Sequence, residues 1–306
     1  MPIDPAVALA APAVEESLAW TVADVLLYHL SLGAGSRPDD PELDLTYEKD
    51  LTVLPTFALV AGTGPSAGER QPPAMSMPGI DIDLRKVLHA GQRVTVHRPL
   101  PASGEAVSRR RVSAVIDKQK AALIEVETAA EDTEGPLWTH VSQIWAHGEG
   151  GFAADTEVAS TSEEARTSDA KGSADGSAAK EGADVPAADP EVLSAATRVD
   201  QAALYRLNGD YNPLHIDPDF ARMAGLERPI LHGLATLGIG ALALTRRYGH
   251  GLTHIGASFS RPVLPGDDLE FDVSAEAEGR FSFGARSVTQ DTTVLSRGEA
   301  RFTHAG

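Results

Sequence analysis

The sequence predicts an α+β protein made of two copies of one module, each a helix wrapped by a curled antiparallel β-sheet. Three observations carry that expectation. The apolar spacing follows a helical period over the first sixty residues, then alternates from Gln92 to Trp145, and the same succession returns in the second half. Short stretches of the first half recur in the second in the same order. One helix-period run, opened by Ile230, is apolar nearly all round and must be buried.

In chain order, residues 1–16 carry acids and no basic region, so they read as a disordered or extended lead-in rather than a signal peptide. Trp20 to Leu32 places Val22, Val25, Leu26, Tyr28 and Leu30 at helical spacing, with Thr21 as N-cap. A polar turn follows from Gly33 to Pro41. Thr52 to Gly62 reads as a short apolar helix after Pro55, and the Gly-, Pro- and Ser-rich residues 63–80 as an exposed loop. Val94 and Val96, then Val107 to Ile116, Ala122 to Thr128 and Leu137 to Trp145, are β-favouring runs separated by turn residues, an antiparallel meander. Residues 17–152 form the first module. Residues 153–190 are Ala, Ser, Gly and acids with no aromatic, the composition of a disordered linker.

The second module, 191–306, repeats the first. Leu27, Tyr28 and Leu30 fall on Leu204, Tyr205 and Leu207, Leu54-Pro55 on the region of Arg228-Pro229, and Arg98-Pro99 on Arg261-Pro262. The offset is 177 at Tyr28/Tyr205 and 163 at Arg98/Arg261, so the first half has 14 more residues between those markers, which the 63–80 loop supplies. Ile230, Leu234, Leu237, Ala241 and Leu244 form the helical stripe, while Gly233, Gly238 and Gly240 permit close approach to a sheet. Leu269 to Val273, Phe281 to Val288 and Val294 to Phe302 make the second meander. Two such units in one chain constitute a double hotdog.

Composition narrows the function classes. A net charge of −18 argues against a nucleic-acid partner, and no apolar run approaches the ~20 residues needed to cross a bilayer. With no cysteine, the chain has no thiolate zinc site and no cysteine nucleophile, as suits a cytoplasmic protein.

The chemistry concentrates between Tyr205 and Thr236. Asp210 and His215 sit five residues apart around Asn212-Pro213, and Pro229-Ile-Leu-His-Gly233 leads into the apolar helix. A carboxylate and an imidazole close together can move protons near neutrality, and a helix start offers unpaired N–H groups to a developing oxyanion. Taken singly, Asp210-Tyr-Asn-Pro is an ordinary turn, Gly233 a packing glycine and His232 a structural residue. Asp217 and Asp219 read as helix caps. The remaining histidines lack ligand spacing and predict no metal site. Arg261 and the run Arg109-Arg-Arg111 are candidates for nucleotide phosphates, against the plainer reading of exposed arginines.

The segment Tyr205-Arg-Leu-Asn-Gly-Asp210-Tyr-Asn-Pro-Leu-His215 resembles the signature of the R-specific enoyl-CoA hydratases, the hydratase 2 branch of the MaoC-like dehydratases. Arg228-Pro-Ile-Leu-His-Gly233 and Pro262-Val-Leu-Pro-Gly266-Asp match that branch, and Tyr47 to Phe57 resembles its degenerate N-terminal half. The resemblance implies syn addition of water to a trans-2-enoyl-CoA, giving a (3R)-3-hydroxyacyl-CoA with no cofactor beyond the CoA thioester substrate. It puts the catalytic pair on Asp210 and His215, the supporting amide on Asn212 and the oxyanion donor on the N–H of Gly233. Which of Asp210 and His215 is the base stays open. A hotdog thioesterase or a non-catalytic acyl-CoA-binding protein are the alternatives the fold allows. The first half has neither the acid nor the imidazole, so it is expected to be catalytically dead and to house the acyl tail. Two linked modules supply internally the pairing that single modules obtain by dimerising, and a further homodimer is compatible with that.

Overall fold

The computed structural model describes residues 3–67, 77–82, 87–152 and 190–303. The first half runs α1 (Pro5–Ala10), β1 (Val14–Trp20), α2 (Val22–Leu32), α3 (Leu43–Thr46), a 3-10 run Pro55–Leu59, and strands β2 (Val87–Val96), β3 (Gly104–Asp117), β4 (Ala121–Asp132) and β5 (Gly135–His147). The second runs β6 (Glu191–Ala196), α4 (Gln201–Tyr205), 3-10 turns at Arg206–Asn208 and Pro213–His215, α5 (Pro218–Met223), α6 (Gly233–Tyr248), and β7 (Leu252–Phe259), β8 (Asp268–Ala277), β9 (Arg280–Ser287) and β10 (Thr292–Phe302).

All ten strands join one antiparallel sheet in the order β1-β3-β4-β5-β2-β7-β10-β9-β8-β6. Read from its centre, that order is the same in both directions once β1 is matched with β6 and β2 with β7. The halves meet at β2 and β7, where Arg93 pairs with Gly256. Those two residues are 163 apart, the offset of the sequence repeat at that point, so the internal two-fold axis passes through them. A Cβ at Gly256 would stand 2.7 Å from the Arg93 Cβ, and glycine lets the strands approach there. The axis passes again between equivalent residues at offset 177. The Tyr28 and Tyr205 rings lie 6.1 Å apart, and Asn208 Nδ2 donates to Ser31 Oγ at 3.0 Å.

The long apolar helix is as expected: every residue of α6 from Ala235 to Thr245 is buried. Leu32 Cδ2 would be 2.7 Å from a Cβ at Gly238, and the Phe271 ring 2.9 Å from one at Gly240, so both glycines are contact points. Helix α2 forms with the Thr21–Asp24 capping box, and Asp217 caps α5.

Several expectations give way. The lead-in is ordered over its described part: Asp4 caps α1, Ile3 and Ala8 are buried, and only its end, from Val14, is extended, as the strand Val14–Trp20 paired with β3. The acids Glu15 and Glu16 obscured it, since they occupy an edge strand. The helix expected after Pro55 is one 3-10 run of five residues, so only the second half holds a long wrapped helix. Strands β6 and β7 were not foreseen, β7 because His254 and Gly256 interrupt its apolar pattern. The linker at 153–190 lies, but for residue 190, outside the described residues, as do 68–76 of the expected loop.

Candidate active site

The site is assembled by a chain segment that turns repeatedly between α4 and α6. Gly209 leaves the 3-10 turn with φ of +113°, a region only glycine enters freely, and its α-carbon lies against Thr63 of the first half. Thr63 Oγ1 donates to the Asn208 carbonyl at 2.6 Å. The next residue is Asp210. Its Oδ1 accepts the Asn212 N–H at 3.2 Å, and Asn212 Oδ1 accepts the Leu214 N–H at 3.0 Å, capping the short turn Pro213–His215. Two successive side-chain-to-backbone turns thus carry the chain from the carboxylate to the imidazole. Asn212 caps the turn on which His215 sits.

His215 is 8 % exposed, and its Nδ1–H donates to the Ile230 carbonyl at 2.9 Å. That bond fixes the neutral tautomer with a bare lone pair on Nε2. Burial holds the pKa of His215 below its ordinary value, against the Ile230 carbonyl and the Asp210 charge, which act to raise it. The ring is therefore neutral and basic at neutral pH. Asp210 is exposed, so the pair opens to the surface on the carboxylate side.

Sequence reasoning treated His232 as structural, and the structure places it in the site. Its ring stacks on His215 with centroids 3.7 Å apart, it is 1 % exposed, and Nε2 lies 3.3 Å from the Asp210 carbonyl. Burial and the neighbouring His215 push its pKa down to about 4. Potential ligand atoms of Asp210, His215 and His232 lie within 4.8 Å of one another. Stacked parallel rings aim their lone pairs along separate planes, so they suit a shared ion poorly, whereas zinc takes nitrogen ligands in-plane at ~2.0–2.1 Å. Proton transfer fits the arrangement better. The only sequence signal for His232 was its adjacency to Gly233.

Gly233 is the first residue of α6, and His232 precedes it as an N-cap without a side-chain cap. The first intrahelical bond runs from the Thr236 N–H to the His232 carbonyl, so the N–H groups of Gly233, Leu234 and Ala235 stand outside the ladder, with the positive end of the helix dipole behind them. A Cβ at Gly233 would press the Phe259 ring at 3.3 Å. Arg261 lies two residues beyond Phe259 on an exposed turn. Arg109 and Arg111 are spent on surface carboxylates: Arg109 pairs with Glu15 and Glu131, Arg111 with Glu127.

Among the described residues the first half has no counterpart. His29 is fully buried and spends both nitrogens on backbone, Nδ1 on the Leu45 carbonyl at 2.8 Å and Nε2 on the Leu54 N–H at 3.2 Å.

Two family models match, one to each half: the MFE-2 hydratase 2 N-terminal domain over residues 19–148 and the MaoC like domain over residues 182–297. The enoyl-CoA hydratase ChsH3 of Mycobacterium tuberculosis is 40% identical over 97% of this chain and 98% of its own length. The chain belongs to the hydratase 2 branch of the MaoC-like dehydratases. Another member, the peroxisomal enoyl-CoA hydratase 2 of Arabidopsis thaliana, is 34% identical over 89% of this chain and 87% of its own. The peroxisomal multifunctional enzyme type 2 of Mus musculus is 31% identical over 92% of this chain, which spans 36% of that larger protein. The crystal structure of a MaoC-like dehydratase from Phytophthora capsici superposes with a TM-score of 0.79 at 26% identity, covering 98% of this chain and 99% of the other. Family membership thus agrees with the double hotdog seen in the sheet order. No described helix is long and apolar enough to cross a membrane.

Proposed function

We propose that the protein is an R-specific enoyl-CoA hydratase, a hydro-lyase that adds water reversibly across the C2=C3 bond of a trans-2-enoyl-CoA. The observation that carries this reading is the His215 tautomer, with Nδ1–H tied to the Ile230 carbonyl and a bare Nε2 beside the Asp210 carboxylate. A water held by both groups loses a proton to Nε2 while its oxygen bonds to C3. Electrons from the double bond move onto the thioester oxygen, where the Gly233 N–H and the start of α6 stabilise the enolate. C2 then takes a proton from the same face, relayed from the imidazolium through Asp210, and both groups return to their starting states. Water and proton on one face give syn addition, and the (3R) alcohol follows when the substrate turns the corresponding face of its double bond to Asp210 and His215. Arg261, exposed two residues beyond Phe259, is the arginine we assign to a phosphate of CoA.

The test is hydration of trans-2-enoyl-CoA followed by loss of enoyl absorbance, with free thiol measured in parallel and the product resolved by chirality. Hydratase activity consumes the enoyl group without releasing thiol and gives the (3R) product. Thiol release would replace this reading with thioester hydrolysis.

A further inference from the structure

The concave face of the sheet in the first half holds a polar row that catalysis does not use. Strand alternation and register put Arg110, Thr128, His140, Val94 and Ile255 side by side on β3, β4, β5, β2 and β7. The same face is largely apolar on either side of the row, with Ser108 on one side and Gln92 and Ser142 on the other. Ala106, Ala130, Trp138 and Val96 belong to one buried cluster, and Val112, Ile124 and Ile144 to another. Arg110, Thr128 and His140 are half-buried, a strip between two closed cores.

The chemistry of this strip is unusual for a surface facing a core. Arg109 and Arg111 point to the other face and are neutralised by glutamates. Among the described residues Arg110, between them, has neither an ion pair nor a hydrogen bond, although it shares the inner face with Ala106 and Val112. Gln92 accepts at Oε1 from Ser142 Oγ–H at 2.8 Å, and its amide nitrogen reaches His140 Nδ1 at 3.3 Å. The amide therefore donates to Nδ1, which leaves the His140 proton on Nε2 with no partner among the described residues. Burial and the nearby His89 push the His140 pKa down to about 4, so this ring is a neutral donor.

In the second half the row beside Ala257 runs Gly298, Phe283, Val273, all of them buried. Among the described residues the polar row thus lies in the half whose wrapped helix has shrunk to the run Pro55–Leu59. At the near end His89 joins the row to the catalytic side. Its Nε2 meets Gln92 Oε1 at 3.0 Å, its ring packs edge-on against Phe259 at 5.0 Å, and Phe259 is the ring beneath Gly233. From β7 to β3 the row spans four strand spacings, about 19 Å at roughly 4.8 Å each.

Resting on the hydratase reading, we propose that this strip is a subsite for the far end of the acyl chain and selects chains that end in a carboxylate. Arg110 is its charge partner, and the Thr128 hydroxyl and His140 Nε2–H are its neutral donors. The preferred substrates are then ω-carboxy-enoyl-CoA thioesters of medium or greater length.

The experiment compares kcat/KM for trans-2-enoyl-CoAs of equal length ending in methyl, hydroxyl or carboxylate. The wild-type protein prefers carboxylate over methyl by tenfold or more, the scale of a hydrogen bond to a charged group. Arg110→Met brings that ratio to about one, Arg110→Lys restores most of it, and His140→Phe lowers it in part. A wild-type ratio of one or less, an unchanged ratio in Arg110→Met, or a hydroxyl end preferred to the carboxylate would each overturn the assignment. If no enoyl-CoA is hydrated, the hydratase reading falls instead. Calorimetric binding of saturated ω-carboxyacyl-CoA against plain acyl-CoA then decides the subsite on its own.

Discussion

Asp210 and His215 are close because two short turns leave them no other arrangement. Each turn is a carboxylate or amide oxygen accepting a backbone N–H two residues on. Replacing Asp210 with Asn, or His215 with Ala, is expected to lower kcat by about 10²–10⁴, the range of general acid–base assistance, with KM little changed. Steady-state kinetics of both variants check this, and near-wild-type turnover in both would remove them from the mechanism. Because burial lowers the His215 pKa, its neutral form persists to more acidic pH, and the acidic limb of kcat/KM falls below 6.5. The fully buried His29 and the half-buried His140, with pKa values of about 4, act on stability in the same pH window. Their pKa values are depressed on folding, so between 6.5 and 4 the unfolded chain binds more protons and stability is lost as pH falls. Thermal midpoints measured from pH 7 to pH 4 should decline steadily through that interval. At this scale the motif was legible in the sequence, since its acid, amide and imidazole are local. His232, His89 and Arg110 were not, because their significance lies in neighbours brought by other elements.

The element that decides the site is the segment between α4 and α6, held in place by contacts with the first half. Gly209 is its hinge, with φ of +113° and the Thr63 carbonyl 2.4 Å from where a Cβ would stand. Gly209→Ala should cost about 1–3 kcal/mol of stability and also reduce turnover, since the chain must shift where Asp210 begins. Denaturant unfolding and kinetics of the same variant test the coupling. A stable variant with full activity would show that the loop tolerates displacement. Helix α6 was legible from its unbroken apolar surface, whose only stable place is inside the sheet. The run after Pro55 carries the same local signals of proline and apolar residues. It stops after five residues, with Phe57 and Ala58 buried and the run packed against β2, β7 and α6. Length of that kind is set by packing, not propensity.

At the scale of the whole molecule, one sheet continues through the two-fold axis and ties the half that carries Asp210 and His215 to one whose described residues hold no such pair. The halves are also joined away from the sheet, where Arg246 of α6 pairs with the buried Glu42 at 2.6 Å and caps the Gly33 carbonyl at 3.1 Å. Arg246→Met strands that carboxylate in the core and should cost roughly 3–5 kcal/mol, which equilibrium unfolding will read directly. Replacing Glu42 and Arg246 together by apolar residues should recover much of the loss. The sequence by itself determined the duplication, the placing of the acid–base motif in the second copy, and the burial of the long helix. All three follow from residue spacing, and spacing is what a sequence records. Only the tertiary structure decided that the lead-in becomes an edge strand, that His232 stacks on His215, and that Arg110 reaches the inner face beside His140. Those outcomes depend on strand register and on which strands become neighbours, and a shift of one residue in β3 would have turned Arg110 outward with its neighbours.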